Sequence, residues 1–197
     1  MAYPTIDGPY GLRPVKMLDN SPYNGATRLY RIASAYNTNV FYGDVVKIVT
    51  GGTIEREAGS NDMDYVGVFM GCTFTDPGSS QPTFKQYWPA STVASDAYAY
   101  VVDDPNVLFK VAVCSSGTTM ADLAITDIGA NVFMINNAGS TTTGNSKNAV
   151  DDTSATTATF PLRVVDVVTE TKTSATAFPE VLVTWNDGHQ FNNTTGV

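Results

Sequence analysis

The sequence has few of the residues on which enzyme chemistry depends. It contains one histidine, His189, and two cysteines among 197 residues. A catalytic triad needs a base held between a nucleophile and an orienting acid, and a zinc site needs several His or Cys ligands at characteristic spacing. His189 follows the turn sequence Asn186-Asp187-Gly188, so we interpret it as an exposed turn residue. We expect no enzymatic activity, no catalytic residues, no metal and no cofactor.

Patterns for disulfides and membrane spans are also missing. Cys72 and Cys114 lie in strand-like sequence, where a free thiol acts as a small hydrophobe, so no disulfide framework is expected. No apolar run approaches the length of a membrane-spanning helix, and no apolar signal segment follows Met1. We therefore expect assembly in a reducing cytoplasm and no membrane partner, with late pairing of the two cysteines left open.

Charge is scarce and mostly negative. Only 15% of the residues are charged, and the net charge is −8. Proteins that bind nucleic acid need a basic surface, so direct contact with DNA or RNA is not expected. The hydrophobic fraction of 43% excludes a disordered chain. A folded domain with so few charges favours a surface that is partly covered by another chain.

Short strands separated by Gly, Pro, Asp and Asn dominate from Arg28 onward. Val107 to Val113 and Glu180 to Trp185 alternate between two faces, and their odd-numbered residues are predicted to point inward. Ala97 to Val102 is uniformly apolar, as expected for a strand covered on both sides. Further strand candidates are Val45 to Val49, Tyr65 to Met70 and Phe160 to Val164. The pattern predicts an all-β protein, either a β-barrel or a β-sandwich, as a single β-rich domain over residues 28–197.

Two segments of the chain resemble one another. Gly43 and Gly129 each precede an apolar strand, a turn and a polar loop, and they lie 86 residues apart (129 − 43). This spacing would suit two related β-units over about 40–76 and 129–168. One short helix is predicted over Met120 to Ile128, with Thr118 or Thr119 as its N-cap and Gly129 as its end.

The first 27 residues differ from the rest because four prolines and several tyrosines replace any periodic pattern. Proline fixes φ and removes a backbone donor, so an extended N-terminal arm is predicted over residues 1–27. Its apolar side chains favour an arm that lies on its own domain or on a neighbouring subunit over a free tail. The candidate partner-contact residues are Tyr3, Pro4, Tyr10, Leu12, Pro14 and Tyr23.

Two polar features allow more than one interpretation. Gly139 to Thr159 is either an exposed loop that contacts a partner or a long mobile connection. The pair Asp103-Asp104 could serve a hydrolase or a calcium site, but the following Pro105-Asn106 favours a turn between two strands. Asp151-Asp152 and Asp62 with Asp64 are read in the same way.

Several strings of the chain together resemble small virion structural proteins of tailed bacteriophages, especially marine ones. These strings are FYGDVVKIVTGGTIE, VGVFMGCTFTDP, QYWPAS, DDPNVLFKV, PLRVVDVV and EVLVTWNDGHQF. The group looks like capsid decoration, or cement, proteins, which are β-rich chains on the outer face of an icosahedral shell. The resemblance implies a virion protein on the capsid exterior that is assembled in the cytoplasm of a bacterial host, with the major capsid protein and other copies of itself as partners.

The leading hypothesis is therefore a non-enzymatic virion protein that stabilises a phage capsid by bridging its subunits, with residues 1–27 as a contact arm. An acidic chain suits the outside of the shell, away from packaged DNA. One alternative is a carbohydrate-binding β-sandwich for host attachment that uses Tyr87, Trp88 or exposed loop aromatics. Another is a structural component of the tail or connector.

Overall fold

The computed structural model describes residues 6–192, and these residues form an all-β protein. The strands are β1 (Arg13–Met17), β2 (Arg28–Ile32), β3 (Val45–Val49), β4 (Thr53–Arg56), β5 (Gly67–Thr75), β6 (Pro82–Lys85), β7 (Tyr98–Val102), β8 (Val107–Ser116), β9 (Thr119–Met120), β10 (Asn131–Val132), β11 (Met134–Ile135), β12 (Ala149–Asp151), β13 (Leu162–Val167) and β14 (Glu180–Trp185). The helical elements of this part of the chain are two 3₁₀ turns, Ile125–Asp127 and Thr169–Thr171. The predicted all-β class is confirmed.

Strands β2, β3, β4, β5 and β7 close into a ring, which we call ring one. β2 pairs with β4 in parallel and with β7 in antiparallel orientation. β3 pairs with β4 and β5, and β5 pairs with β7. β6 adds to β5 outside the ring. The interior is apolar and includes Ile54, Phe69 and Trp88, each at most 1% exposed.

The strands from β8 to β14, apart from β9, close into ring two. β8 pairs with β12 in parallel and with β14 in antiparallel orientation. β11 pairs with β12, β10 pairs with β13, and β13 pairs with β14. Phe133 alone separates β10 from β11, so they act as one strand that closes the ring. The ring-two core also includes Val45 and Val68 of ring one, so the two rings share a continuous apolar interface.

The two rings have the same pairing order and the same register. In chain order, the five strands of ring one are β2, β3, β4, β5 and β7, and those of ring two are β8, β10 with β11, β12, β13 and β14. In each ring, the first strand lies between the third and the fifth, and the second strand pairs with the third and the fourth. In ring one the register pairs include Val46 with Gly67, Ile48 with Ile54, Arg31 with Tyr98 and Phe69 with Val101. In ring two the corresponding pairs are Val132 with Leu162, Met134 with Val150, Ala112 with Glu180 and Val164 with Val183. The segments predicted to be related, 40–76 and 129–168, fall at corresponding places in the two rings.

Gly43 and Gly129 have equivalent positions in this pattern. Their φ angles are +95° and +92°, a backbone region that favours glycine. The N–H of Gly43 donates to the carbonyl of Phe69, and that of Gly129 donates to the carbonyl of Val164, both at 2.8 Å. In each ring, therefore, the glycine ties the start of the second strand to the fourth strand.

The described part of the N-terminal arm lies on its own chain. β1 pairs with β8 of ring two. Leu12 is fully buried in the shared core, and its N–H donates to the carbonyl of Gly43 at 3.0 Å. The arm thus spans the two rings, and its strand extends the sheet of ring two.

Residues 136–148 also join the rings, through a buried polar network. Arg56 of ring one donates to the carbonyl of Asn137 (2.8 Å) and to Oδ1 of Asn148 (3.2 Å). Ser146 donates its hydroxyl to Asp44 Oδ1 at 2.6 Å. Burial raises the pKa of Asp44, and the positive charge of Arg56 opposes that shift. The segment Gly139 to Thr159 therefore does not project as a whole from the protein.

The predicted helix over Met120 to Ile128 is wrong. Thr119–Met120 pairs with β8 as β9, and Leu123 bridges to Phe178. Only Ile125–Asp127 forms a 3₁₀ turn, in which the Asp127 carboxylate accepts the N–H of Ala124 at 2.7 Å. Pairing with distant strands has overridden a weak local helical pattern.

Candidate partner-binding surface

The outer face of ring one displays an open set of apolar and aromatic side chains. Residues directly opposite each other on neighbouring strands point to the same face of a sheet. Thr73 of β5 lies opposite both Phe84 and Tyr98, and Tyr98 lies opposite Arg31. Leu29 and Tyr100 form the next row. We call these residues the ring-one face: Leu29, Arg31, Thr73, Phe84, Tyr98 and Tyr100.

The ring-one face is open to solvent. Phe84 is 73% exposed and Leu29 is 53% exposed, while Tyr98 and Tyr100 are half-buried. Phe84 stands on β6, which pairs only with β5 among the described strands. Large apolar side chains gathered on one face are typical of a contact surface.

A groove of about 410 Å³ runs beside Phe84 and Tyr100. Tyr42 and Met70 line it, together with Gly71 at the bulge of β5. Gly71 has a φ of +126°, and a Cβ there would stand 3.1 Å from the carbonyl oxygen of Lys85. The bulge therefore needs glycine at this position.

The corresponding face of ring two is charged, and the N-terminal arm covers part of it. Its register places Lys110, Glu180 and Leu182 where ring one has Leu29, Tyr98 and Tyr100. The Lys110 ammonium lies 3.2 Å from the fully buried Glu180 carboxylate. Tyr10 of the arm donates its hydroxyl to the same carboxylate. Burial, followed by the hydrogen bond to Glu180, raises the pKa of Tyr10.

The ring-one face offers packing and one positive charge. Aromatic residues and arginine supply much of the binding energy in protein interfaces. Four of the six side chains are apolar or aromatic, and Arg31 is the one charged member. This composition can bury apolar surface against another protein and orient it through one ion pair.

The candidate contact residues of the arm are divided by the structure. Tyr3 and Pro4 lie outside the described residues. Leu12 is buried in the core, and Pro14 lies opposite Phe109 in the β1–β8 pair. Tyr10 is half-buried and donates its hydroxyl to Glu180, and Tyr23 packs against the shared core while its hydroxyl donates to the carbonyl of Ala26. Contacts within the chain account for the burial of these four, and none belongs to the ring-one face.

The structure removes Trp88 from any carbohydrate-stacking platform. Trp88 is fully buried inside ring one and donates its indole N–H to the carbonyl of Tyr36 at 3.2 Å. Tyr87 is half-buried and stacks on Phe41 with a centroid distance of 5.5 Å. A sugar cannot reach the Trp88 ring, so that part of the carbohydrate hypothesis is wrong.

The interpretation of His189 as an exposed turn residue is also wrong. His189 is 3% exposed and packs among the rings of Tyr65, Trp185 and Phe191. The N–H of Tyr65 donates to the carbonyl of Gly188 at 3.0 Å, which draws the C-terminal segment onto ring one. Burial lowers the pKa of His189.

The candidate acidic and thiol groups have structural roles. Asp103 pairs with Arg28 at 2.9 Å, and Asp104 accepts the N–H of Asn106 at 2.8 Å, so the predicted turn between β7 and β8 is confirmed. Both cysteines are free and buried, and burial raises the pKa of Cys72 to about 12. Among residues 6–192, no group of three His, Cys, Asp or Glu side chains is placed to hold a metal ion.

The sequence pattern does not predict the ring-one face. The apolar run Ala97 to Val102 predicts a strand covered on both sides, and this is wrong, because Tyr98 and Tyr100 face outward and are half-buried. The available signal was the alternation of tyrosine with alanine and valine. Phe84 and Leu29 carried no local signal, because only the cross-strand register places them beside the tyrosines.

No helix of the described chain is long and apolar enough to cross a membrane. Comparisons with protein-family models, with curated proteins and with solved structures each give no match.

Proposed function

We propose that the chain is a virion structural protein that binds the outer face of a bacteriophage capsid and stabilises the shell by bridging its subunits. The observation that carries the proposal is the exposed aromatic ring-one face, whose counterpart in ring two holds an ion pair and is partly covered by Tyr10. A protein whose two halves share one architecture and differ in this way has one face free for a partner. The resemblance of the sequence to phage decoration proteins supplies the identity of that partner.

Phe84 is the anchor of this proposed contact. Burying a phenylalanine side chain stabilises a complex by about 1.5–3 kcal/mol, and Phe84 is 73% exposed. Thr73 lies between Phe84 and Tyr98 in the register, Tyr100 lines the same groove as Phe84, and Leu29 lies opposite Tyr100. The net charge of −8 disfavours contact with packaged DNA and is compatible with the outside of a shell.

The proposal places the contact on ring one and not on the N-terminal arm. Leu12 and β1 are part of the folded core. Deleting the first 25 residues would remove both, so such a deletion cannot separate binding from folding. Single substitutions on exposed positions are the better test.

The test compares virions that carry the wild-type chain, Phe84→Ser or Ile125→Ser. Ile125 is a matched control, since it is an apolar side chain 57% exposed on ring two. DNA-filled heads are purified, and copies of the chain per major capsid subunit are counted by quantitative mass spectrometry. We expect near-equal copies for the wild type and for Ile125→Ser, and a loss of roughly tenfold or more for Phe84→Ser.

Two results would contradict the proposal in different ways. A handful of wild-type copies per particle would identify a tail or connector component. Full occupancy by Phe84→Ser would retain the capsid role but exclude the ring-one face as the contact. Circular dichroism of each purified variant checks that the substitution leaves the fold intact.

A further inference from the structure

Ring two carries an added strand on the edge of its first strand. β1 lies antiparallel to β8, with Arg13 opposite Lys110 and Met17 opposite Val107. β12 occupies the same edge further along, at Val113 and Cys114. The first strand of ring two is therefore paired on this side at residues 107–110 and 113–114.

The same edge of ring one is only half paired. β4 occupies the positions of Arg31 and Ile32 in β2. Residues Ala26 to Leu29 correspond to Val107 to Lys110, and no described strand pairs with them on this side. All four are exposed. An unpaired strand edge is a template for another strand.

The hydrogen-bonding groups that face outward on this edge follow from the register. The N–H of Ile32 donates to Ala97 on the β7 side, as the N–H of Val113 donates to Pro179 on the β14 side. Alternate residues of a strand point their N–H and C=O to opposite edges. Thr27 and Leu29 therefore point their backbone N–H and C=O groups to the open edge. Leu108 and Lys110 point the same groups toward β1.

A cleft of about 460 Å³ lies beside Ala26 to Arg28, and its other walls are Phe191 and the turn Asp103 to Pro105 that follows β7. Arg28 and Phe191 line it, with the Arg28 guanidinium 5.5 Å from the centre of the Phe191 ring. Phe191 and Leu29 are each 53% exposed. Two exposed apolar side chains, Leu29 and Phe191, therefore lie near the unpaired backbone groups of β2.

We infer that the open edge of β2, residues Ala26 to Leu29, binds an extended apolar segment of another polypeptide chain as an added antiparallel strand. The structure of ring two defines the geometry, because β1 already binds the equivalent edge. Each copy of this chain has one such arm, and that arm is paired with its own β8. The occupant is therefore a segment of a different protein. This inference goes beyond the capsid proposal and does not depend on it.

The probe is a synthetic peptide with the sequence of residues 11–18, which contains β1. Labelled peptide is titrated against the full-length chain and followed by fluorescence anisotropy, while amide hydrogen exchange locates the contact. We expect saturable binding below about 1 mM, with slower exchange at Thr27 and Leu29. Protection only at Leu108 and Lys110 would show exchange with β1 and would overturn the inference.

Two variants of one position separate strand pairing from side-chain contact. Thr27→Pro removes the outward N–H, and proline is tolerated where a strand edge faces solvent. Thr27→Val keeps the N–H. Thr27→Pro should weaken peptide binding by roughly tenfold, and Thr27→Val should leave it unchanged. Equal binding by both variants, or no binding by the wild type, would overturn the inference.

A chain that ends at Asn192 tests whether the occupant comes from the protein itself. Equal peptide affinity with and without residues 193–197 supports an external partner. Affinity that rises roughly tenfold or more on their removal would identify this segment as the occupant and overturn the inference.

Discussion

Ring one and ring two share their pairing order and register, but they differ in what covers them. Ring two receives β1 and Tyr10 from the arm, and its outer face holds the buried Glu180. Ring one receives the polar loop of residues 136–148 on one side and leaves its outer face open. One architecture thus supports two surfaces, and the side chains at matching positions decide which is closed.

At one pair of matching positions, the two rings carry residues of different chemical type. Asp44 follows Gly43 in ring one, while Ala130 follows Gly129 in ring two. Asp44 is fully buried and binds Arg56 and Ser146. Ala130 is half-buried and needs no such partners. The buried carboxylate that holds the connecting loop is therefore supplied by ring one, and alanine stands at the matching position of ring two.

The largest effect is expected from Asp44→Ala, which gives ring one the residue of ring two. The substitution leaves Arg56 without the carboxylate that lies 3.1 Å from its Nε. Breaking a buried ion pair by removing one partner costs about 3–5 kcal/mol. Urea unfolding followed by tryptophan fluorescence measures the loss. The control is Arg28→Ala, whose pair with Asp103 has a side chain 64% exposed and should cost less than about 1 kcal/mol. A smaller loss for Asp44→Ala than for the control would contradict the assigned role.

An intermediate effect is expected from alanine at the two equivalent glycines. Positive φ costs alanine about 1–2 kcal/mol at either position. A Cβ at Gly43 would also lie 3.2 Å from backbone atoms of Leu12 and Tyr10, whereas a Cβ at Gly129 has nothing within 4 Å. Gly43→Ala should therefore lose about 1 kcal/mol more than Gly129→Ala.

Urea unfolding of both glycine variants, with Gly8→Ala as the control, measures this difference. Gly8 has open space around it and no positive φ, so its replacement should leave stability nearly unchanged. Equal losses of stability at Gly43 and Gly129 would mean that the arm adapts to the added methyl group. The packing of the arm against Gly43 would then make no difference to the stability of the two rings.

Strand positions were predictable from the sequence wherever the pattern was local. The runs at Val45 to Val49 and Glu180 to Trp185 coincide with β3 and β14, since β-branched alternation and flanking turns define both. The closure of each ring was not predictable, because it depends on the parallel pairings of β2 with β4 and of β8 with β12. These join residues that are distant in sequence and have no local signature.

The candidate site was less predictable than the fold. The local sequence around Phe84 does not distinguish it from any other surface phenylalanine. Only its register with Thr73 and Tyr98 places it on the ring-one face. The burial of His189 is likewise not predictable from its local sequence. Its turn residues are real, but the bridge to Tyr65 buries the ring. Long-range pairing decided both cases.

The smallest effect is expected from pH, and it concerns the contact of the C-terminal segment with ring one. Burial lowers the pKa of His189, although the carbonyls of Asp103 and Val66 and the carboxylates of Asp103 and Asp104 favour the protonated ring. An unfolded histidine binds a proton near pH 6.5. The unfolded state therefore holds more protons just below that pH. Stability is complete above about pH 6.5 and falls as the pH decreases toward the pKa of the folded state, by at most about 1.4 kcal/mol per pH unit.

Urea unfolding at pH 7.5 and 5.5 gives the loss of unfolding free energy on acidification for the wild type and for His189→Gln. The difference between these two losses is the contribution of His189. The wild type should lose on the order of 1 kcal/mol more than the variant on acidification. Hydrogen exchange locates the effect. The amides of Tyr65 and Gln190, which donate to Gly188 and Tyr65, should exchange faster at pH 5.5 relative to His189→Gln, while the interior of ring two is unchanged. An equal loss in both proteins would assign acid sensitivity to carboxylates elsewhere. Faster exchange in ring two would show that the two rings open as one unit. The covering of ring two by the arm would then not make ring two more stable than ring one.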